Sequence, residues 1–245
     1  MKPSHALATA IALAACAAAT HAQTIKIAVL QELSGAGATA GTNAKNGVEL
    51  AVKEINAAGD ILGKKIETMV ADTQSNPGVA KGLATKAVDD GVFAVIGPTF
   101  SGSVLVSMAE TKRAEVPNFT GGEAASITQQ GNPYIFRTVD APNPLMLKFK
   151  AKFFQEYKYI SDHNGIKGYT GVYLLKAGIE KAGKLDRVAV AKALHGLSIS
   201  AAKEPGVLMD VSIDANGDLD RESYIVEVKN GRQEVKETLP ALAKK

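Results

Sequence analysis

The sequence predicts an α/β fold: a doubly wound parallel sheet with C-terminal helices and a terminal β-hairpin. Three observations carry that expectation. Short apolar runs alternate with segments of helical period through residue 138, the pattern of parallel strands joined by right-handed crossovers. Two of those runs end in Gly, Ser and Thr, the composition of the loops where open parallel sheets bind ligands. After Arg137 the alternation stops, and helices follow one another until a β-rich C-terminus.

Taken in order, Thr24 to Leu30 (TIKIAVL) reads as a strand and Gln31 to Gly41 as a polar, glycine-rich loop. Val48, Ala51, Val52 and Ile55 recur at helical spacing within Thr42 to Ala57, and Gly59 ends that helix. Lys65 to Ala71 is a second strand, followed by a turn at Asp72 to Asn76. Pro77 opens a helix that runs to Asp89 and closes at Gly91. Val92 to Ile96 is a third strand ending at Gly97-Pro98, then a hydroxyl-rich turn, Thr99 to Ser103, and a helix to Arg113. Val116 to Phe119 is a fourth strand, ending at Thr120-Gly121-Gly122. Tyr134 to Thr138 is a short strand leading outward, and 139–144 (VDAPNP) reads as a linker. Helices are predicted over Leu145 to Tyr157, Lys167 to Ala182 and Arg187 to Leu194. Gly206 to Ile213 is β-like, Asp214 to Asp218 is a turn, and Ser223 to Lys229 with Gln233 to Thr238 form a hairpin about Asn230-Gly231.

Composition bounds the function. Lys2, the apolar small-residue run Ala6 to Ala19 and Thr20-His21-Ala22 predict a signal peptide over residues 1–22, hence export; Leu13-Ala14-Ala15-Cys16 offers the alternative of a lipidated Cys16. No later segment approaches the roughly 20 apolar residues of a membrane span. The single cysteine excludes a disulfide scaffold and a cysteine-based zinc site. A net charge of +3 is too near neutral to imply nucleic acid. With no Trp and 5% aromatic residues, an aromatic-lined sugar site is not expected.

Catalytic and cofactor patterns are missing from the sequence. His163 and His195 are the histidines beyond the leader, without HExxH spacing, so no metal is expected. Asp214, Asn216, Asp218 and Asp220 resemble a calcium loop, but the glycine stands fourth rather than sixth and no Glu closes it. There is no G-x-S-x-G or Walker pattern, and Ser101 has no evident His-Asp partners. The reading is a non-enzymatic protein without cofactors. Its best binding element is the helix start at Ser101, whose free N–H groups favour a carboxylate.

Eight segments in order, IKIAVLQELSG (25–35), NGVELAVKEINAAGDILGKKIE (46–67), VIGPTFSGS (95–103), VPNFTGG (116–122), YIFRT (134–138), GYTGVYLLKAGIEKAG (168–183), VAKALHG (190–196) and DVSIDANGDLDRESYIVEVKNG (210–231), resemble the periplasmic substrate-binding components of branched-chain amino acid ABC transporters, with the type I binding-protein fold. The resemblance implies an extracytoplasmic protein that binds an amino acid or related small carboxylate and delivers it to a membrane permease. It implies two lobes closing on the ligand. Here the chain runs from a first-lobe domain (23–138) through a shortened crossover (139–144) into returning helices and a strand (145–213). A terminal hairpin remnant of the second lobe follows (214–245). A second lobe of on the order of 100 to 150 residues is missing from the middle. The alternative reading is an interaction module that docks on the permease or forms a homodimer through its orphaned strands.

The resemblance also implies site residues. Ser101 matches a Ser/Thr ligand contact, against the alternative of a helix N-cap. Gly122 matches a backbone contact, beside Thr120. Ala124 stands where the family often has Thr, leaving only a backbone N–H. Ala40 falls where an aromatic ring often covers the ligand, so the aromatic wall is expected to be absent. Ser34 and Gly35 lie in the first cleft loop, where simple turn chemistry is the alternative. Glu123 is expected in solvent, and Tyr169 in packing or near the hinge. The acidic group that would pair with a ligand ammonium belongs to the missing lobe.

Overall fold

Strand β1 (Ile25–Gln31) is an interior strand of a parallel sheet because both of its faces carry apolar residues, Ile25, Ile27 and Val29 on one and Ala28 and Leu30 on the other. The structure, a computed structural model, describes residues 24–138 and 144–240; the expected leader with Cys16 and residues 139–143 of the expected crossover lie outside the described residues. α1 (Ala38–Ala58), β2 (Ile66–Asp72), α2 (Pro77–Asp89), β3 (Ala94–Ile96), α3 (Ser101–Arg113), β4 (Asn118–Thr120) and β5 (Ile135–Arg137) follow. The sheet order is β2-β1-β3-β4-β5, all parallel. The chain leaves β1 towards β2 and then returns past it to β3, so the direction of winding reverses between β1 and β3. That reversal point is where open sheets bind ligands.

Alternate residues of β1 feed two cores. Ile25, Ile27 and Val29 join α1 and the later helices on one face; Ala28 and Leu30 meet Ala84 and Ala87 of α2 on the other. α2 starts where the sequence predicts, because Asn76 Oδ1 accepts the N–H groups of Gly78 (2.8 Å) and Val79 (3.2 Å), with Pro77 at the first helical position.

Beyond the crossover come α4 (Pro144–Tyr157), α5 (His163–Ala182) and α6 (Arg187–Leu194). α5 lies across α1 so closely that a Cβ on Gly47 would stand 1.9 Å from the Gly165 carbonyl oxygen. Tyr169 of α5 is buried in this layer, and its hydroxyl donates to Glu54 Oε2 of α1 at 2.5 Å, so its role is packing. Burial pushes that phenol well above the ordinary tyrosine range, which keeps it protonated as the donor.

The C-terminal segment departs from the sequence expectation. Gly206 to Ile213 is not one strand. It contains a tight turn at Pro205–Val207 and the short strand β7 (Val211–Ile213), flanked by β6 (Ser198–Ile199) and β8 (Leu219–Asp220) in an antiparallel sheet ordered β6-β7-β8. This small sheet sits at the β5 edge. The Arg137 N–H donates to the Gly217 carbonyl (2.9 Å), and Arg137 Nε lies 2.9 Å from Asp218 Oδ1. The short strand that the sequence predicts over Tyr134 to Thr138 is β5, which pairs in parallel with β4 at the edge of the sheet. The final hairpin forms as expected, β9 (Ser223–Lys229) with β10 (Arg232–Leu239), turning through Asn230 and Gly231, both at positive φ.

Candidate functional site

The loops after β3 and β4 meet the starts of α1 and α5 around an open cavity of about 550 Å³. Thr99, Phe100, Ser101 and Gly102 form one side, Gly121 and Glu123 the next; Ala40 of α1 and His163, Asn164 and Lys167 of α5 complete it. Its location follows from the winding reversal, and each wall is held by hydrogen bonds internal to the lobe.

Ser101 is the first residue of α3, while Phe100 occupies the N-cap without a side-chain cap bond. The N-cap alternative for Ser101 is thus corrected. Its Oγ instead accepts the N–H groups of Glu123 (3.1 Å) and Ala124 (3.1 Å), tying the helix start to the loop after β4. The N–H groups at the start of α3 have no intrahelical acceptor. The approach just before them is occupied: Glu32, fully buried, accepts the Thr99 N–H at Oε2 (3.1 Å) and the Phe100 N–H at Oε1 (3.2 Å). Thr99 Oγ1 also donates to Gln31 Oε1 at 2.8 Å.

The remaining predicted residues divide into two groups. Ser101 and Ala40 line the cavity. Thr120 and Gly122 are not among its lining residues and are bonded within the lobe. Thr120 Oγ1 donates to the Pro98 carbonyl (2.7 Å) and accepts the Gly122 N–H (3.0 Å), so the Gly122 N–H assigned to a ligand is already donated inside the lobe. The Ala124 N–H is likewise given to Ser101. Ser34 and Gly35 sit to one side in a turn. The Ser34 N–H donates to Asp72 Oδ1 (3.1 Å), its carbonyl accepts from Ser75 Oγ (2.6 Å), and Gly35 has φ +74°. Hydrogen bonds, first from the Ser34 side chain and then from backbone N–H groups, hold the Asp72 carboxyl below the usual carboxylate range against the opposing effect of desolvation.

Two corrections and one addition concern the cavity walls. Ala40 belongs to α1, not to a loop, because the helix starts at Ala38 rather than Thr42. An aromatic surface is present: Phe100 lines the cavity and is 38% exposed, so the missing ring at Ala40 does not leave the wall without one. Glu123 is exposed as expected, yet it is paired, with Lys167 Nζ 2.6 Å from its Oε1. That bond, foremost among the causes, holds the Glu123 carboxyl below its ordinary value.

Lys167 is the residue that the sequence reading missed. Its side chain is 6% exposed, and Nζ also donates to the Gly121 carbonyl at 3.2 Å. It reaches the cavity because α5 begins at His163, one turn earlier than its period suggests, capped by Asp162, whose Oδ1 accepts the N–H groups of Asn164 and Gly165. The D-x-x spacing before Gly165 is an N-cap signal that would have found this start. Among the described residues, no group of three or more His, Cys, Asp or Glu side chains gathers to hold a metal ion, and no helix is long and apolar enough to cross a membrane.

A family model described as periplasmic binding protein matches residues 24–146 and 138–233. The leucine-, isoleucine-, valine-, threonine- and alanine-binding protein of Pseudomonas aeruginosa is 30% identical over 197 residues, covering 76% of this chain and 52% of that one. A Leu/Ile/Val-binding protein of Rhizobium johnstonii is 35% identical over 132 residues, 54% of this chain and 36% of the relative. The chain thus spans between about a third and a half of the curated relatives it matches. Among solved structures, the isoleucine-bound branched-chain amino acid binding protein of Streptococcus pneumoniae aligns with a TM-score of 0.75 at 17% identity, covering 89% of this chain and 99% of that chain. A benzoate-bound binding protein of R. palustris aligns at 0.76 and 15%, covering 90% and 98%. At these identities the structural matches establish the fold, an α/β lobe of the type I kind.

Proposed function

The chain belongs to the periplasmic binding protein family, and from that membership we propose that it is an extracytoplasmic substrate-binding protein of an ABC importer, taking branched-chain or other amino acids or related small carboxylates. The observation that carries this reading is the cavity at the winding reversal, where the Ser101 hydroxyl, the first N–H groups of α3 and the Lys167 ammonium converge. Such donors suit a carboxylate. The names of the relatives, which bind leucine, isoleucine and valine, support the ligand class. A membrane permease is the partner, and the binding role needs no catalytic group.

The described residues hold one parallel sheet, hence one wall of a cleft. The two segments matched by the family model meet at residues 138–146, around the shortened crossover expected from the sequence. That supports a lobe lost from the middle. Clamshell closure acts by burying ligand between two walls, so a single wall binds weakly. Calorimetric titration with Leu, Ile and Val tests this; micromolar or tighter affinity would refute the single-wall reading.

One observation favours a second reading, the interaction or dimerisation module. Val226, Val228 and Val235 of the terminal hairpin are 42%, 67% and 51% exposed. A clean monomer in sedimentation at high concentration would count against it.

A further inference from the structure

An α-amino acid carries its carboxylate and its ammonium on one carbon, so a site that reads both sets a hydrogen-bond donor beside an acid. The cavity holds such a pair. Ser101 Oγ accepts the Glu123 N–H at 3.1 Å, so the hydroxyl lies against the backbone of the residue that carries the acid. The same oxygen accepts the Ala124 N–H, which leaves its proton to donate to a ligand carboxylate. Lys167 adds a cation. Its ammonium has three donors. Glu123 Oε1 takes one at 2.6 Å and the Gly121 carbonyl another at 3.2 Å, which leaves a third.

Glu123 is the acid among the described residues that line the cavity. Its side chain is 76% exposed, and Lys167 engages Oε1 alone. Oε2 carries no bond to the protein among the described residues. The Lys167 bond holds the carboxyl below its ordinary value, so it is ionised at neutral pH. A ligand ammonium can therefore take Oε2 with the Lys167 pair intact. Glu32 offers no alternative: it is buried, with its two oxygens on the Thr99 and Phe100 N–H groups. The Phe100 ring, also in the lining, gives a ligand side chain apolar surface.

Resting on the small-carboxylate reading above, we propose that Glu123 is a specificity residue of this wall: its Oε2 takes the ammonium of an α-amino acid whose carboxylate lies on Ser101 and Lys167. One wall then selects the zwitterion, a role that the resemblance gives to an acid of the missing lobe.

Three ligands of one carbon skeleton test this. Leucine carries both charges, 4-methyl-2-oxopentanoate the carboxylate and 3-methylbutylamine the ammonium. Each is titrated into the full chain and followed through the amide NMR signals of Ser101, Gly102 and Glu123, which remain readable at weak affinity. Leucine is expected to bind about threefold more tightly than the oxo acid, the size of an exposed ion pair, with the amine weakest. In Glu123→Gln the order of leucine and the oxo acid is expected to reverse, because the ligand ammonium then faces Lys167 with no acid between them. Should that variant not fold, the wild-type ranking decides alone. The oxo acid binding as tightly as leucine in the wild type, or leucine keeping its lead in Glu123→Gln, overturns the inference and leaves the small-carboxylate reading standing. No movement of these amides with any of the three overturns both.

Discussion

β1 and β9 are each seven residues long and rich in Ile and Val, yet they meet opposite fates. In β1 every apolar side chain is buried, because strands pair with it on both sides and helices cover both faces. In β9, Ile225, Val226 and Val228 remain 44%, 42% and 67% exposed, because among the described residues the strand pairs only with β10 and no layer covers either face. Strand-forming residues therefore make local backbone structure in both places, but only the lobe converts it into burial. At about 25 cal/mol per Å² of apolar area, stability resides in the lobe, and the hairpin persists as an edge with apolar side chains facing water.

The contrast can be broken most forcefully at Phe119, fully buried between the sheet and the α5 layer and stacked at 5.4 Å on Phe136. Phe119→Ala is expected to destabilise the lobe by about 3–5 kcal/mol in urea unfolding; a loss under about 1 kcal/mol would mean that the lobe core is no better packed than the hairpin. Asn76→Ala removes the α2 cap and should lower stability by about 1 kcal/mol, with helix content otherwise retained by circular dichroism.

A smaller effect is expected in acid. The folded Asp72 carboxyl is held below its unfolded value, so the unfolded state binds more protons as pH drops, and the stabilisation present at neutral pH is lost as pH falls below about 4 through the lowered value. Asp72→Asn should give a shallower acid limb in a plot of unfolding midpoint against pH; an unchanged limb would remove Asp72 from the account. The smallest effect belongs to the hairpin: ending the chain after Glu222 is expected to move the midpoint by no more than about 0.5 kcal/mol, and a large loss would show that the hairpin is covered in solution.

The same contrast explains which parts of the molecule were legible. Pro77 to Asp89 and Arg187 to Leu194 were read correctly to the residue, because Asn76 and Asp186 cap them and apolar spacing is regular between. α1 was started late because Gly35, Gly37 and Gly41 read as loop residues. Gly41 is there for close approach, since a Cβ would lie 2.1 Å from the Glu32 carbonyl oxygen. Strands of two or three residues such as β6 and β8 are too short to show a period. In the site, Ser101 was legible as a hydroxyl at a helix start. Lys167 was not, because a lysine on a helix reads as solvated, and its packing against the loop after β4, at Gly121 and Glu123, is a tertiary contact. The acceptors of the Gly122 and Ala124 N–H groups were equally hidden, lying across the loop rather than along the chain.

The bond from Arg137 to Gly217 has a consequence for the order in which this chain can become a protein. The first four strands can associate soon after they are made. The fifth has no outer partner until Gly217 exists, and the face of α1 stays bare until α5 is complete. Such distant closures make folding slow and keep a growing chain open. A residue that closes the sheet so late in the sequence leaves the lobe unfinished until almost all of it has been made.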